Sequence, residues 1–190
     1  MKIDYCSDTH WDFYLDPSST VNFRKIELII NNDFSAQNSD TLIIAGDTGH
    51  YSKQDALFLT VLKERYKNIF IAQGNHNLYC VSKSQKEQYK TWQSKFDESK
   101  KIFESCDCYV LDGDIVEING KTIGGAMGWY DGSYFYQYGH FNPYGETLES
   151  KWKRVMNDSR FIPGLKDFYD IMVVELPKLE SVFLKEPYLS

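Results

Sequence analysis

The chain has little that would carry it out of the cytoplasm or onto a polyanion. Its 190 residues include four cysteines, Cys6, Cys80, Cys106 and Cys108. It opens on Met1-Lys2-Ile3-Asp4, with charges where an export signal needs an apolar stretch. Disulfides are therefore not expected. Cys106-x-Cys108 has no second Cys or His pair at zinc-ligand spacing, so these cysteines read as packing residues. No apolar run approaches the roughly 20 residues that span a bilayer. The expected location is the cytoplasm, with no membrane partner. A surplus of positive charge is also missing. The formal net charge of -6 argues against a broad basic surface for nucleic acid. A phosphate-bearing substrate stays open, because bound metal ions would supply positive charge locally. Internal repeats, low-complexity tracts and linkers are absent too.

What the chain does have fits one domain over 1–190. A hydrophobic fraction of 42% and an aromatic fraction of 16% suit a well-filled interior. Three places share one grammar. The apolar run Leu42-Ile43-Ile44 leads into Ala45-Gly46-Asp47-Thr48-Gly49. Met1 to Cys6 leads into Ser7-Asp8-Thr9-His10, and Ile69-Phe70-Ile71-Ala72 into Gln73-Gly74-Asn75-His76. Each reads as a strand ending in a loop that offers oxygen or imidazole donors. In an open α/β sheet, ligands bind beyond the carboxyl ends of the strands. The five side chains Asp8, His10, Asp47, Asn75 and His76 would converge there, and their donor types suit divalent metals.

In order, residues 3–6 read as a central first strand. A loop to residue 19 follows, then a helix capped by Ser18, Ser19 or Thr20, with Phe23, Ile26, Ile29, Ile30 and Phe34 on one face. A strand is expected at Thr41–Ala45, a helix over 52–66 with Leu59, Leu62 and Tyr66 inward, and a strand at Asn68–Ala72. This alternation implies a parallel sheet with right-handed crossovers. Residues 83–105 predict one long helix with Tyr89, Trp92, Phe96 and Phe103 facing in and its lysines and glutamates solvated. Strands follow at 108–111, Asp114–Ile118 and Lys121–Gly125, the last two joined by an Asn119-Gly120 hairpin turn. The aromatic, glycine-rich stretch 128–145 is a lid or wall over the site, or equally a plug over the sheet edge. Helices are expected over 146–157 and 165–184, the latter with Phe168, Met172, Leu176, Leu179 and Phe183 in register and kinked or split at Pro177.

Each motif is weak alone, since Asp-x-His arises by chance and Gly-Asp and Gly-Asn are turn dipeptides. Together, each after a strand, they are specific. Asp8-x-His10, Gly46-Asp47 and Gly74-Asn75-His76 resemble the first three motifs of the calcineurin-like metallophosphoesterases, and Gly124-Gly125-Ala126-Met127-Gly128-Trp129-Tyr130-Asp131 resembles the strand and loop after their hairpin. The resemblance covers essentially the whole chain. It implies an α/β two-sheet sandwich flanked by helices, with two divalent ions about 3.5–4 Å apart. Manganese is the first expectation, with iron, zinc, nickel and magnesium as alternatives. By the same resemblance Asp8 and His10 would hold one metal, Asp47 would bridge both, and Asn75 would serve the second. His76 would face the substrate phosphate as charge stabiliser or acid, and a hydroxide between the metals would attack phosphorus in line.

Two departures stand out. Asn77 occupies the place where the family has an acidic residue. The later His and the Gly-His-x-His motif are missing, and only His50 and His140 remain. Donors this few predict weak metal binding unless water, His50 or another chain fills in. The chain reaches Pro187-Tyr188-Leu189-Ser190 where the family would begin its next strand, so a C-terminally incomplete fold is expected. An uncovered sheet position of that kind invites self-association. The expected function is metal-dependent hydrolysis of a phosphomonoester or phosphodiester, with nucleotide-type substrates included, and little activity in this form. The alternatives are a non-catalytic binding module with an incomplete site, or a nuclease of the same superfamily. Net charge and the lack of an Arg/Lys cluster near the motifs speak against the nuclease.

Overall fold

The computed structural model describes residues 1–15, 23–138 and 145–185. Its centre is a four-stranded parallel sheet in the order β1-β2-β3-β4: Asp4–Cys6, Thr41–Ala45, Asn68–Ala72 and Tyr109–Val110. Helices α1 (Phe23–Asp33) and α2 (Ser52–Lys63) lie in the crossovers β1–β2 and β2–β3. The alternation of β2 and β3 sorts their side chains between two faces. Leu42, Ile44, Ile69 and Ile71 pack with Ile26 and Ile30 of α1 and with Phe58, Leu59 and Leu62 of α2. Ile43, Phe70 and Ala72, on the other face, meet Leu111, Val116, Ile118 and Ile123.

That second layer is the antiparallel hairpin of β5 (Asp114–Ile118) and β6 (Lys121–Gly125). Asn119 and Gly120 turn it with φ of 51° and 67°. Two positive φ values in a two-residue loop make the turn whose twist matches the strands. Helix α8 (Tyr169–Lys185) covers the hairpin. Asp112 ties it down by accepting from Lys178, which also reaches Glu175 at 2.7 Å, and from Lys100 at 3.0 Å. The result is the two-sheet, helix-flanked α/β arrangement that the motifs imply.

Several elements differ from the sequence reading. The first strand is an edge strand, not a central one. Each crossover steps the same way across the sheet, which leaves β1, among the described residues, with a neighbour on one side. Tyr5 is accordingly 85% exposed. The 83–105 helix is two helices, α3 (Lys83–Gln88) and α4 (Trp92–Ser105). Thr91 ends the continuity by capping α4, its hydroxyl accepting from the Ser94 N–H at 3.2 Å. Tyr89, Trp92, Phe96 and Phe103 are buried as expected, but Lys95, assigned to the solvated side, is buried as well. Its Nζ donates to Ser52 Oγ at 3.0 Å and lies 5.2 Å from the Tyr89 ring centre, and burial lowers its pKa. Pro177 does not split α8. The buried face of that helix carries Ile171 and Glu175, while Leu176 and Phe183 are exposed.

The helix expected over 146–157 is α6 (Leu148–Val155), and a short α7 (Asp158–Phe161), not expected, follows it. Between β6 and α6 lies α5 (Ser133–Tyr138), with Tyr134, Tyr136 and Tyr138 exposed. The expected caps Ser18, Ser19 and Thr20, together with His140 and residues 187–190, lie outside the described residues. All four cysteines are free thiols, and burial pushes those of Cys6 and Cys108 up to about 12. Cys106 and Cys108 pack against the main core, in line with a packing role.

Candidate active site

The loops after β1, β2 and β3 meet beyond the carboxyl ends of their strands. Backbone bonds lace the first two together: the N–H groups of Asp8, His10 and Trp11 donate to the carbonyls of Gly46, Asp47 and Thr48. Asp8, His10 and Asp47 adopt φ of 53°, 42° and 52°. A left-handed backbone at three aspartate and histidine positions costs energy that the surrounding structure must offset. Such strain gathers where side chains are aimed for function.

Gly74 explains how the third loop joins. A Cβ there would overlap the Asp47 carboxylate and stand 2.7 Å from the Asp47 nitrogen. With no side chain, the loop closes on Asp47, and the His76 N–H donates to Asp47 Oδ1 at 3.0 Å. Asn77, which replaces the expected acidic residue, is buried and locks the turn. Its Oδ1 accepts from the Gly74 N–H at 2.9 Å, and its Nδ2 donates to Thr48 Oγ1 at 2.6 Å and to the Gly49 carbonyl at 3.3 Å.

The convergence is tight for three of the five expected residues. Ligand atoms of His10, Asp47 and His76 lie within 4.8 Å of one another. Asp8 stands outside this group, exposed, and lines a different cleft with Ser7 and Thr9. Asn75 lies beside the group in an open cleft of about 560 Å³ that it shares with Asp47, Gly74, Trp129, Tyr130 and Asp158. His10 Nδ1 is buried without a hydrogen-bond partner. A carboxylate and two imidazoles with such an orphan form a donor set that fits a divalent ion.

One acid holds one histidine and faces a second. Asp12 Oδ2 is 3.1 Å from His50 Nδ1, and its Oδ1 is 3.9 Å from His10 Nδ1. His50 Nε2 is 3.0 Å from His76 Nδ1. If Asp12 accepts the Nδ1 hydrogen of His50, Nε2 of the neutral ring is left as an acceptor, and His76 must donate from Nδ1. His76 Nε2 then takes no part in that chain of contacts. Burial lowers the pKa of His50, with Asp12 opposing, so the neutral ring this arrangement needs is favoured. Tyr79 stacks on His76 with ring centres 4.4 Å apart.

Beneath the loops lies Asp55, wholly buried, accepting from Thr48 Oγ1 at 2.8 Å. Burial pushes its carboxyl up to about 7. From the other side, Met127, Gly128, Trp129 and Tyr130 form part of the cleft wall, with Trp129 and Tyr130 packed against Phe168 and Trp152. The described start of the aromatic stretch is thus wall and packing at once.

Sequence reasoning missed Asp12, Tyr79, Tyr130 and Asp158. Asp12 was within reach, since Asp8-x-His10-x-Asp12 continues one acidic and imidazole alternation. Tyr130 and Asp158 are brought in by contacts 28 to 83 residues long, which no local pattern announces.

Donors at the ends of adjacent parallel strands, with a second sheet behind them, define an α/β sandwich with a candidate metal site. A family model described as calcineurin-like phosphoesterase matches residues 1–178, and the chain belongs to that family. Among solved structures, the phosphopantetheinyl hydrolase of Mycobacterium tuberculosis superimposes with a TM-score of 0.65 at 14% identity. The match covers 99% of this chain and 64% of that one, so the chain spans less than two thirds of that protein's length. At this identity the likeness speaks for the fold. No curated protein matches the sequence significantly.

Proposed function

We propose that the protein is a single-domain, metal-dependent phosphoesterase that hydrolyses phosphomonoesters or phosphodiesters, nucleotide-type substrates among them. The observation that carries this reading is the group of His10, Asp47 and His76 at the ends of three adjacent parallel strands. Asp47 and His10 would hold a divalent ion, manganese first, with Asn75 adding its amide oxygen. The metal pair of the family, when bound, supplies Lewis-acid charge and an acidified water. Asp8 belongs to the proposed ligand set by its motif, and its exposed carboxylate would have to turn in to serve.

His76 has two roles open to it, as a ligand in the group it shares with His10 and Asp47 or as a residue facing the substrate, and we favour the second. Its Nδ1 is engaged by His50, its ring is held by Tyr79, and its Nε2 is the nitrogen left to act on a substrate. Doubly protonated, His76 would stabilise phosphate charge or protonate the leaving oxygen from Nε2, with its Nδ1–H held by His50 and Asp12 behind it. With few protein donors, weak metal binding and slow turnover on generic phosphodiesters are expected. The non-catalytic alternative draws on the exposure of Asp8, which leaves the cluster one donor short.

The deciding experiment is calorimetric titration of Mn²⁺ into the wild type and Asp47→Asn, with a chromogenic phosphodiester and phosphomonoester assayed alongside. Metal uptake that weakens in the variant, with measurable turnover, is expected. Equal affinity in both proteins would remove Asp47 from the metal site. Uptake without turnover on either ester would favour the binding module. A cytoplasmic setting belongs to the same proposal. Among the described residues no helix is long and apolar enough to cross a membrane.

A further inference from the structure

Asp158 begins α7, far in sequence from the three motif loops, yet its buried carboxylate lines the same cleft. Three donors point at it. Asn75 Nδ2 donates to Oδ1 at 2.8 Å, the Tyr79 hydroxyl donates to Oδ1 at 2.7 Å, and the Tyr130 hydroxyl donates to Oδ2 at 2.9 Å. The hydroxyls are placed in turn. Tyr130 accepts from Trp152 Nε1, and Tyr79, its hydrogen given to Asp158, accepts from Asn75 Nδ2 at 3.3 Å.

This arrangement settles a choice that a carboxamide cannot make alone. The oxygen and nitrogen ends of an asparagine are nearly the same size, and rotation about χ2 exchanges them. Only the oxygen end binds a cation. A carboxylate has no hydrogen to give, so it can face only the nitrogen end. We propose that Asp158 is a positioning residue that holds the Asn75 amide with Oδ1 presented to the cleft for a divalent ion. Its negative charge, drawn up to the N–H, also polarises the amide toward the oxygen. Partners that orient metal ligands in this way commonly contribute about 10–100-fold in metal affinity.

The inference rests on the reading of Asn75 as a metal ligand, and the test separates the two. Mn²⁺ is titrated calorimetrically into the wild type, Asp158→Asn, Asn75→Ala and the double variant, with thermal melting of each metal-free protein recorded in parallel. The neutral amide of Asp158→Asn can face either end of Asn75. Affinity is therefore expected to fall about 10–100-fold, and no further loss is expected when the change is made in the Asn75→Ala background. Unchanged affinity in Asp158→Asn overturns the inference. So does an equal loss with and without Asn75, which would mark a merely structural residue. If Asn75→Ala binds as the wild type does, or the wild type takes up no Mn²⁺, the ligand reading itself falls and this inference with it. Should Asp158→Asn not fold, Tyr79→Phe keeps the ring on His76 and removes the bridging hydroxyl. A loss of several-fold is expected there, and unchanged affinity counts against the proposal.

Discussion

Asp12 holds His50 and faces His10 with one carboxylate, and single residues of this kind tune the imidazoles of the site. Removing its charge in Asp12→Asn, with the shape kept, frees the tautomer of His50, loosens the hold on the His76 Nδ1–H and weakens support for a doubly protonated His76. Turnover of esters with poor leaving groups is expected to fall more than turnover of activated ones, because under the proposed acid role only the former draw a proton from His76. Loss by the same factor for both classes would assign Asp12 a structural role. For His76→Ala, turnover is expected to drop about 10²–10⁴-fold with bound Mn²⁺ retained. Metal lost together with activity would make His76 a ligand, which its place in the 4.8 Å group allows.

At the scale of elements, the strand-end loops are held by close backbone approach. Gly74→Ala would drive a Cβ into the Asp47 carboxylate and backbone, and backbone cannot give way as a flexible side chain would. A loss of about 1–3 kcal/mol in urea unfolding is expected for such overpacking, with Mn²⁺ affinity falling alongside. Asp55, in the helix after the second loop, gives a pH signature. Its folded pKa of about 7 exceeds the ordinary 3.8, so through that interval the folded protein keeps a proton that the unfolded chain has released. Stability from this group is full below about pH 4 and is lost as pH rises through about 7. Asp55→Asn is expected to flatten that decline, and urea midpoints of both proteins at pH 5 and pH 8 check it. A wild-type excess decline near zero would mean that Asp55 is charged in the fold.

For the whole molecule, a ligand that binds only the folded state adds stability by mass action. Mn²⁺ at about 100 times its dissociation constant should contribute roughly 2.7 kcal/mol and raise the melting temperature. The same addition to Asp47→Asn should do much less. Among the described residues, Phe183 on α8 lines an apolar cleft with Ile115 and Ile123 of the hairpin and is 71% exposed, and Tyr5 on β1 is 85% exposed. Pairing of two copies there is expected, as mass that rises with concentration in light scattering and stays monomeric in Phe183→Lys.

Much of this was legible in the residues. The apolar runs of β2 and β3, the Asn119-Gly120 turn and the three strand-end motifs are local signals. Local periodicity and turn chemistry act within a few residues. They determined the order of the strands, the parallel sheet with its later antiparallel hairpin, and the strand-end positions of His10, Asp47, Asn75 and His76. Tertiary structure alone decided the rest, because each remaining feature depends on which distant surfaces meet. The place of β1 at the sheet edge follows from the direction of the crossovers, not from its own three residues. Lys95 is buried because Ser52 and Tyr89 come to it from other elements, and no charge pattern within α4 contains them. Asp158 became part of the cleft by reaching Asn75 across 83 residues of chain, a pairing that exists only once α7 has packed against the strand-end loops.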